Sequence, residues 1–468
     1  MSDPRIEAVL SRLAPIVPVE GIEPRWTIAE RGAHYQCPGL SIAAMQGDHL
    51  AWSTGWGSRE VGLTGAVNAQ TMFSGASISK PVTALLALQL VDEGRIDLDT
   101  DINRYLKRWL LPNNEHTQGC PVTLRWLLSH KAGTTVHGFG GVQPGTPLPT
   151  LLDVLEGRPP AATPPVRVDK RPGGEGRYSG GGTTIVQLML EDQTGTDFAT
   201  LAAQRVFGPL GMTRSTFVQP LPEAYRANAA SGHQPGTQVI PGRWVCVPQL
   251  GAGGLWTTAE DYARFMLACR AAWLGLPGAL LSRSLAIEMM TTQPQTTFGL
   301  GWEVFHTGTL KRFGHGGSND GFQCESTCFL ESGDGAVVMT NSESGMLMYW
   351  EVFRAIADVH GWNGFLMPPR REVPMNAAAR ALLVGHYEIV QGPTVIPMRV
   401  YEEDGVLMST IDGMRLSTHT MHMDERGRLF SPMGPYDSEV IRDGSGRAVE
   451  LIVRRDGHAE MMRPRRVD

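Results

Sequence analysis

The stretch FSGASISKPVTALLALQLVDEGRIDL, residues 73–98, predicts a helix that is buried on every side and lies directly after Ser77. From Val82 to Leu90 the residues are apolar with two polar exceptions, which is typical of a helix packed all round inside a domain. Pro81 lacks an N–H group and therefore fits only in the first turn of such a helix. The helix is thus expected to begin at or next to Ser77.

Ser77 and Lys80 lie three residues apart, so their side chains share one face of the helix and can meet. The helix N-terminus adds positive potential and free N–H groups, which favour an alkoxide or an oxyanion. A buried positive end also lowers the pKa of a neighbouring lysine and pushes the amine towards its neutral form. Because a neutral amine can accept the serine proton, the pair predicts a nucleophilic serine and its base.

A purely structural role also fits residues 77–80, with Ser77 as a helix cap and Lys80 as a solvated charge. A serine followed three residues later by a lysine is common by chance, so the motif alone does not decide between the two. Acyl transfer also needs a second proton carrier and two oxyanion donors, and these must come from elsewhere in the chain.

Composition narrows the class of protein. The chain has 468 residues, enough for more than one domain, and its net charge of −6 argues against a nucleic-acid partner. No apolar run approaches membrane-spanning length, and the first residues lack a signal-peptide pattern, so we expect a cytoplasmic protein with no membrane partner. Six widely spaced cysteines predict reduced thiols, and we expect neither a metal nor a cofactor.

Strand patterns stand at both ends of the first part of the chain. Residues 39–57 alternate around a Gly–Asp turn and predict a hairpin. Four more strands are predicted in the segments FGLGWEVF, LKRFGHG, GFQCESTCFL and GAVVMTNS. Helical patterns lie between them, one with Thr257 as its cap and Glu260 completing a capping box. This order predicts an α+β fold, with helices flanking one antiparallel sheet that distant segments complete.

Near residue 365 the character of the sequence changes. MPPRREVP reads as a linker, and Asp–Gly pairs then recur between apolar runs, at 404–405, 412–413, 443–444 and 456–457. Asp–Gly between apolar runs is a strong hairpin signal. We therefore predict two domains, residues 1–372 and a small antiparallel β-barrel over residues 373–468.

Two further segments carry groups suited to acyl transfer. Tyr178 precedes a glycine-rich turn and an apolar helix, and a nearby ammonium would lower its pKa enough for proton exchange. His315 ends a predicted strand before Gly316 and Gly317, which would let a substrate lie along the strand edge. The N–H groups of Ser77 and Ser318 would then hold the oxyanion. The structural alternatives are a packed turn tyrosine and a hairpin with an incidental histidine.

Together these motifs resemble the β-lactamase and penicillin-binding-protein-like serine hydrolases, on the side of class C β-lactamases, D-aminopeptidases and related esterases. The resemblance covers residues 25–365: Ser77-Ile-Ser-Lys80, then Tyr178-Ser-Gly180 for Tyr-x-Asn, and His315-Gly-Gly317 for Lys-Thr-Gly. Supporting segments include LRWLLSHKAG and LGAGGLWTTAEDYARF. The resemblance implies an all-helical subdomain beside the sheet and a C-terminal lipocalin-like barrel.

Two departures from the family pattern bear on the substrate. Gly180 stands where the family has an asparagine whose amide holds the lysine and a substrate carbonyl. His315 stands where many members have lysine, a form similar to the D-aminopeptidase branch. The loss of the asparagine amide at Gly180 argues against β-lactam or ordinary peptide recognition.

The resemblance implies a serine hydrolase that forms an acyl-enzyme at Ser77, with Lys80 and Tyr178 moving protons and His315 supporting Tyr178 and the leaving group. Its substrates would be small amides or peptides, including those with a D-residue. A carboxylesterase of the same family is the near alternative, and a non-catalytic scaffold or ligand-binding protein is the alternative of another class. A homo-oligomer is compatible with each of these functions.

Overall fold

The computed structural model describes residues 3–307, 309–391, 394–412, 419–434, 436–455 and 460–468. The helices are α1 (Pro4–Leu10), α2 (Ile28–His34), α3 (Ser79–Asp92), α4 (Leu124–Leu128), α5 (Leu151–Glu156), α6 (Gly180–Thr194), α7 (Phe198–Ala202), α8 (Glu223–Arg226), α9 (Leu250–Gly253), α10 (Ala259–Leu274), α11 (Arg283–Met289), α12 (Gly345–His360) and α13 (Ala377–Ala381). A 3-10 turn covers Ile102–Arg104, and a π-helical turn covers Ala203–Phe207.

The strands are β1 (Gly39–Gln46), β2 (His49–Gly57), β3 (Phe73–Ala76), β4 (His233–Gln234), β5 (Gln238–Val239), β6 (Leu255–Thr257), β7 (Glu303–Thr307), β8 (Leu310–Asn319), β9 (Phe322–Phe329), β10 (Gly335–Thr340), β11 (Gly385–Gln391), β12 (Thr394–Glu403), β13 (Val406–Ile411), β14 (His419–Met423), β15 (Leu429–Phe430), β16 (Tyr436–Arg442), β17 (Ala448–Arg455), β18 (Glu460–Met462) and β19 (Arg465–Arg466). The chain forms two compact units, residues 36–349, and residues 1–35 together with 350–468. The division into 1–372 and 373–468 stays a prediction.

A six-stranded antiparallel sheet organises residues 36–349, with the strand order β2-β1-β10-β9-β8-β7. Gly47 and Asp48 join β1 to β2 as predicted, and Gly47 has the left-handed φ of +64° that suits glycine in a tight turn. Strands β1 and β10 are buried over almost their whole length, and helix α10 packs on both. The predicted α+β fold, with one sheet completed by distant segments, is confirmed.

Helix α3 is buried nearly all round, as its apolar sequence predicts, and it packs against α6 and α9. Pro81 lies in its first turn, Ile78 is its N-cap residue, and Ser77 precedes it. Helix α10 begins one residue later than expected, because Thr258 accepts the capping hydrogen bond from the Asp261 N–H. The prediction that Thr257 caps this helix was wrong, since Thr257 ends strand β6 and pairs with Phe73.

Eight strands of the C-terminal region close into an antiparallel barrel, because β16 pairs with both β15 and β17. Asp404 and Gly405 join β12 to β13 with φ angles of 50° and 79°, the backbone of a tight hairpin turn. Residues 443–444 lie between β16 and β17, as predicted. The expected turns at 412–413 and 456–457 fall on or next to positions outside the described residues. The barrel core contains Leu383, Tyr387, Ile389, Met398, Val400, Leu407, Met421, Leu429, Ala448 and Leu451.

A buried ion pair belongs to the same unit. Arg31 of α2 and Glu351 of α12 lie 2.6 Å apart, and the Tyr35 hydroxyl donates to the same carboxylate at 2.6 Å. In the N-terminal segment, Val17 and Val19 pack with Phe430 of strand β15. None of the described helices combines the length and apolar character needed to cross a membrane.

Candidate active site

Ser77 lies where strand β3 gives way to helix α3. The residue before it, Ala76, has a φ of 47°, in the left-handed region that costs a non-glycine residue about 1 kcal/mol. Strand β3 is held in place by antiparallel pairing with β6. The N–H of Ser77 has no backbone acceptor in the described part of the chain. Ser77 therefore lies on a fixed, strained turn, and its backbone N–H is available as a hydrogen-bond donor.

Lys80 reaches back to Ser77 as the motif predicts. Its Nζ lies 2.9 Å from the Ser77 Oγ and 2.7 Å from the carbonyl oxygen of Ala252 in α9. The side chain is buried, and burial lowers the pKa of Lys80 to about 7. The pKa of Lys80 is thus lowered, as expected, but the cause is loss of water around the amine rather than the positive potential of the helix end.

Tyr178 faces this pair from the turn before helix α6. The Lys80 Nζ lies 4.8 Å from the centre of its ring. Burial raises the pKa of Tyr178, and a hydrogen-bonding contact with Ser77 opposes the rise only partly. The expectation that a nearby ammonium lowers this pKa was wrong, because burial outweighs every other influence on the phenol. Tyr178 is therefore a phenol that keeps its proton.

His315 lies on strand β8, and its ring centre is 6.1 Å from that of Tyr178. Its Nδ1 donates to the Gly316 carbonyl at 2.6 Å, which leaves Nε2 as a buried acceptor that has no hydrogen-bond partner among the described residues. Burial, with Lys80 nearby, lowers the pKa of His315 to about 3, so the imidazole is neutral. Among the described residues the Tyr178 hydroxyl makes no hydrogen bond to His315, so the predicted support of Tyr178 by His315 does not take that form.

Gly317 brings strand β8 against the turn that carries Ser77. A Cβ at Gly317 would lie 2.4 Å from the Gly75 carbonyl oxygen, so only glycine allows this approach. The contact sets Ser318 beside the Ser77 turn. The predicted reason for these glycines was access for a substrate, and the structure adds the close packing of Gly317 on the protein's own backbone.

The edge of β8 beyond this point is open on one side. Strand β7 pairs only with residues 310–314, whereas β9 pairs with residues 312–319. Within the described residues no strand covers the β7 side of positions 315–319. Such an edge is suited to a ligand that adds backbone hydrogen bonds to the sheet.

Gly180 leaves no space for the missing asparagine. A Cβ there would lie 2.9 Å from Cε2 of Phe139 and 3.2 Å from the His137 carbonyl oxygen. The segment around residue 137 is fixed to helix α6, because the Gly180 N–H donates to the His137 carbonyl at 3.0 Å. The aromatic side chain of Phe139 thus stands next to the position of the family's amide.

Sequence reasoning missed several neighbours of the site, among them His130, His137, Phe139 and Ala252. His130 accepts a hydrogen bond from the Ser179 N–H at 3.2 Å, and its ring lies 4.4 Å from that of Tyr178. His130 and Ala252 stand in the segments LRWLLSHKAG and LGAGGLW, so their motifs were visible although their roles were not.

The site opens into a cleft of about 540 Å³. The described residues that line it are Ser77, Lys80, His137, Gly138, Phe139, Tyr178, Gly180, Val247, Ala252, Gly253, Phe298, Glu303, His315, Gly316, Gly317, Ser318, Asn319, Gln323 and Tyr349. All predicted site residues are therefore in one cleft. Among the described residues no group of three or more His, Cys, Asp or Glu side chains is arranged to hold a metal ion.

The arrangement contains the parts of a nucleophilic site. A serine on a strained turn contacts an amine whose pKa is lowered to about 7, and a protonated phenol lies beside both. Serine activated by an adjacent base is the general pattern of covalent acyl transfer.

Three curated proteins are similar to this chain. The chain is 24% identical over 352 residues to the unguisins hydrolase ungD of Aspergillus violaceofuscus, covering 66% of this chain and 59% of the relative. It is 26% identical over 375 residues to penicillin-binding protein 4 of Amycolatopsis lactamdurans, covering 76% and 94%. It is 22% identical over 324 residues to a D-aminopeptidase of Brucella anthropi, covering 67% and 58%. The chain thus spans less than two thirds of the hydrolase and of the D-aminopeptidase.

Solved structures show the same fold. The octameric penicillin-binding protein homologue from Pyrococcus abyssi superposes with a TM-score of 0.63 at 21% identity, over 93% of this chain and 98% of that one. The Beta-lactamase family model matches residues 25–360. Because this match covers well over half of the 468 residues, the chain belongs to the Beta-lactamase family.

Proposed function

We propose that this protein is a serine hydrolase that works through an acyl-enzyme at Ser77. The Ser77 Oγ attacks the carbonyl carbon of the substrate while the neutral Lys80 amine takes its proton. The N–H groups of Ser77 and Ser318 hold the oxyanion. The tetrahedral intermediate expels an amine or alcohol, which leaves with a proton passed through Lys80 and Tyr178, and water then hydrolyses the acyl ester.

One observation carries this proposal: the Lys80 Nζ lies 2.9 Å from the Ser77 Oγ, and burial lowers the Lys80 pKa to about 7. A base with that pKa is half neutral at neutral pH, which is near the optimum for general base catalysis. Tyr178, with its raised pKa, serves as a proton donor and relay rather than as the base. His315 stays neutral beside Tyr178, and its Nε2 is proposed to accept a hydrogen bond from the leaving group.

The substrates we propose are small amides or peptides, including those with D-residues. The D-aminopeptidase among the relatives and the largely uncharged cleft support this class. A carboxylesterase is the second candidate, because Gly180 lacks the amide that helps hold a substrate carbonyl and Phe139 stands beside that position. Esters need less protonation of the leaving group than amides do. Since one structural neighbour is octameric, we also propose a homo-oligomer.

A fluorophosphonate probe tests the nucleophile, because only an activated serine reacts with it quickly. Wild type should be labelled at Ser77, and Ser77→Ala should lose the label while remaining folded. Ser318→Ala is the matched control, since it keeps the N–H assigned to the oxyanion site and should keep the label. Failure of wild type to react, or labelling of Ser77→Ala, would favour the non-catalytic scaffold.

A substrate panel separates the two enzyme candidates. p-Nitrophenyl esters, D- and L-amino-acid p-nitroanilides and nitrocefin can be compared by kcat/KM at one pH. Turnover of D-amino-acid anilides supports the amidase, whereas turnover of esters alone supports the carboxylesterase.

We keep residues 1–372 and 373–468 as proposed domains. Limited proteolysis should then cut first between residues 366 and 380. A first cut elsewhere would refute this division.

A further inference from the structure

The glycine-rich motif LGAGG, residues 250–254, forms the short helix α9 directly beside Lys80. The Ala252 carbonyl oxygen accepts a hydrogen bond from the Lys80 Nζ at 2.7 Å. It is the second partner of the amine, after Ser77. A main-chain carbonyl has no charge, so it orients an amine without holding it in the ammonium form, as a carboxylate would.

Two buried side chains fix this turn through a single residue, Gly251. The Thr83 hydroxyl donates to the Gly251 carbonyl at 2.8 Å, and the Gln187 Oε1 accepts from the Gly251 N–H at 3.0 Å. Thr83 is fully buried and Gln187 is 2% exposed. A Cβ at Gly251 would lie 3.0 Å from the Thr83 Oγ1, so glycine lets the turn approach α3 this closely.

Orientation of the amine decides whether it can act as a base. A neutral amine has two N–H donors and one lone pair. When one N–H is bound to the Ala252 carbonyl, rotation about the last bond of Lys80 is restricted and the lone pair can face the Ser77 hydroxyl. If that carbonyl moved, the amine could instead donate to the Ser77 Oγ, which is unproductive for proton transfer.

We propose that Thr83 and Gln187 are positioning residues, which hold the Leu250–Gly253 turn so that the Ala252 carbonyl directs the Lys80 amine towards Ser77. This inference rests on the proposed function of Ser77 and Lys80. Loosening the turn should misplace the amine and also let water reach it. Added water favours the ammonium, so the pH at which the base loses its proton should rise.

Other titratable groups face Lys80, and none of them accounts for such a shift. Tyr178 has its ring 4.8 Å from the amine and a raised pKa, so it stays protonated. His130, His137 and His315 all have lowered pKa values, in part because Lys80 is near, so they stay neutral at neutral pH. A limb near pH 7 therefore reports Lys80.

The test compares Thr83→Val and Gln187→Met with wild type, using the rate of fluorophosphonate labelling of Ser77 from pH 5 to 10. We expect each variant to react about tenfold more slowly at pH 7, with its acidic limb moved to higher pH by roughly one unit. Thr83→Ser keeps the hydroxyl and should restore the wild-type profile. Thr184→Val removes a buried hydroxyl of α6 whose hydrogen bond, in the part of the chain that the structure describes, is to the Gly180 carbonyl of the same helix, and it should leave the profile unchanged.

Folded variants whose rate and acidic limb match wild type would overturn the positioning role while leaving the hydrolase intact. If wild-type Ser77 does not react at all, the proposed function fails and this inference fails with it. Gln187→Asn retains an amide but is too short to reach Gly251, and it replaces Gln187→Met if the latter does not fold. An unmoved limb in Gln187→Asn would overturn the role equally.

Discussion

Adding one methyl group at Gly317 should disable the site without touching any reacting group. The Cβ of Gly317→Ala would lie 2.4 Å from the Gly75 carbonyl oxygen and 2.6 Å from the Cys324 Sγ. Gly75 is two residues before Ser77, so the new methyl presses on the turn that carries the proposed nucleophile. Neither obstacle is the free end of a long side chain.

The size of the effect follows from these distances. An ordinary contact of a Cβ begins near 3.4 Å, so strand β8 and the Gly75 turn must separate by about 1 Å. A displacement of that size between reacting groups costs on the order of 10²-fold in rate. Overpacking of this kind also costs about 1–3 kcal/mol of folding stability. We expect Gly317→Ala to fold, to melt at a lower temperature, and to lose about 10²-fold in kcat/KM.

Gly316→Ala is the matched control, one residue away on the same strand. Its Cβ would lie 3.0 Å from the Glu325 Oε2, the end of a flexible side chain, so we expect a loss within about threefold. Hydrolysis of a p-nitrophenyl ester, labelling of Ser77 and thermal melting should be measured for both variants. The double variant Gly317→Ala/Cys324→Ala removes the sulfur but not the carbonyl, and should not recover. Equal losses in the two single variants, or recovery in the double variant, would refute the reasoning.

Three more outcomes are expected. The kcat/KM of wild type should rise with pH through about 7, because the Lys80 amine is a base only when neutral. His315→Ala should keep this acidic limb, since the pKa of His315 is about 3. Loss of the limb in that variant would contradict its assignment to Lys80. Gly180→Asn should lose activity and about 1–3 kcal/mol of stability because its Cβ meets Phe139 at 2.9 Å, and Phe139→Ala should restore part of both in urea melts and assays. Glu351→Ala should lower the free energy of unfolding by about 3–5 kcal/mol in the same melts, because it leaves its arginine partner buried without a counter-charge, whereas a loss below 1 kcal/mol would show that the pair is not structural.

Local patterns predicted the fold because they depend on neighbours in the sequence. The hairpin over residues 39–57, the buried helix after Ser77 and the Asp404–Gly405 turn each follow from a short run of residues. The grouping of residues 1–35 with residues 350–468 does not, because it arises from packing such as that of Val17 on Phe430. No short pattern in either segment marks such a partner.

The residues of the site could be predicted from the sequence, but their protonation states could not. Spacing on a helix placed Ser77 and Lys80 together, since three residues is a local distance. The pKa of Tyr178 was assigned the wrong direction because the phenol is buried among rings from distant segments of the chain, those of His130, His137, Phe298 and His315. The partner of Lys80 was invisible for a related reason: the Ala252 carbonyl is main chain, and residue type says nothing about where a main-chain oxygen lies.

In the proposed mechanism, burial sets the direction of proton transfer in this cleft. It lowers the pKa of Lys80 to about 7 and raises that of Tyr178, so the amine is ready to accept a proton while the phenol retains its own. The same burial keeps His315 neutral, and no lining residue apart from Lys80 offers a cationic side chain at neutral pH within the described cleft. A single physical cause therefore accounts for the different proposed roles of Lys80 and Tyr178. Desolvation disfavours the charged form of each group, which is the protonated amine for Lys80 and the deprotonated phenol for Tyr178.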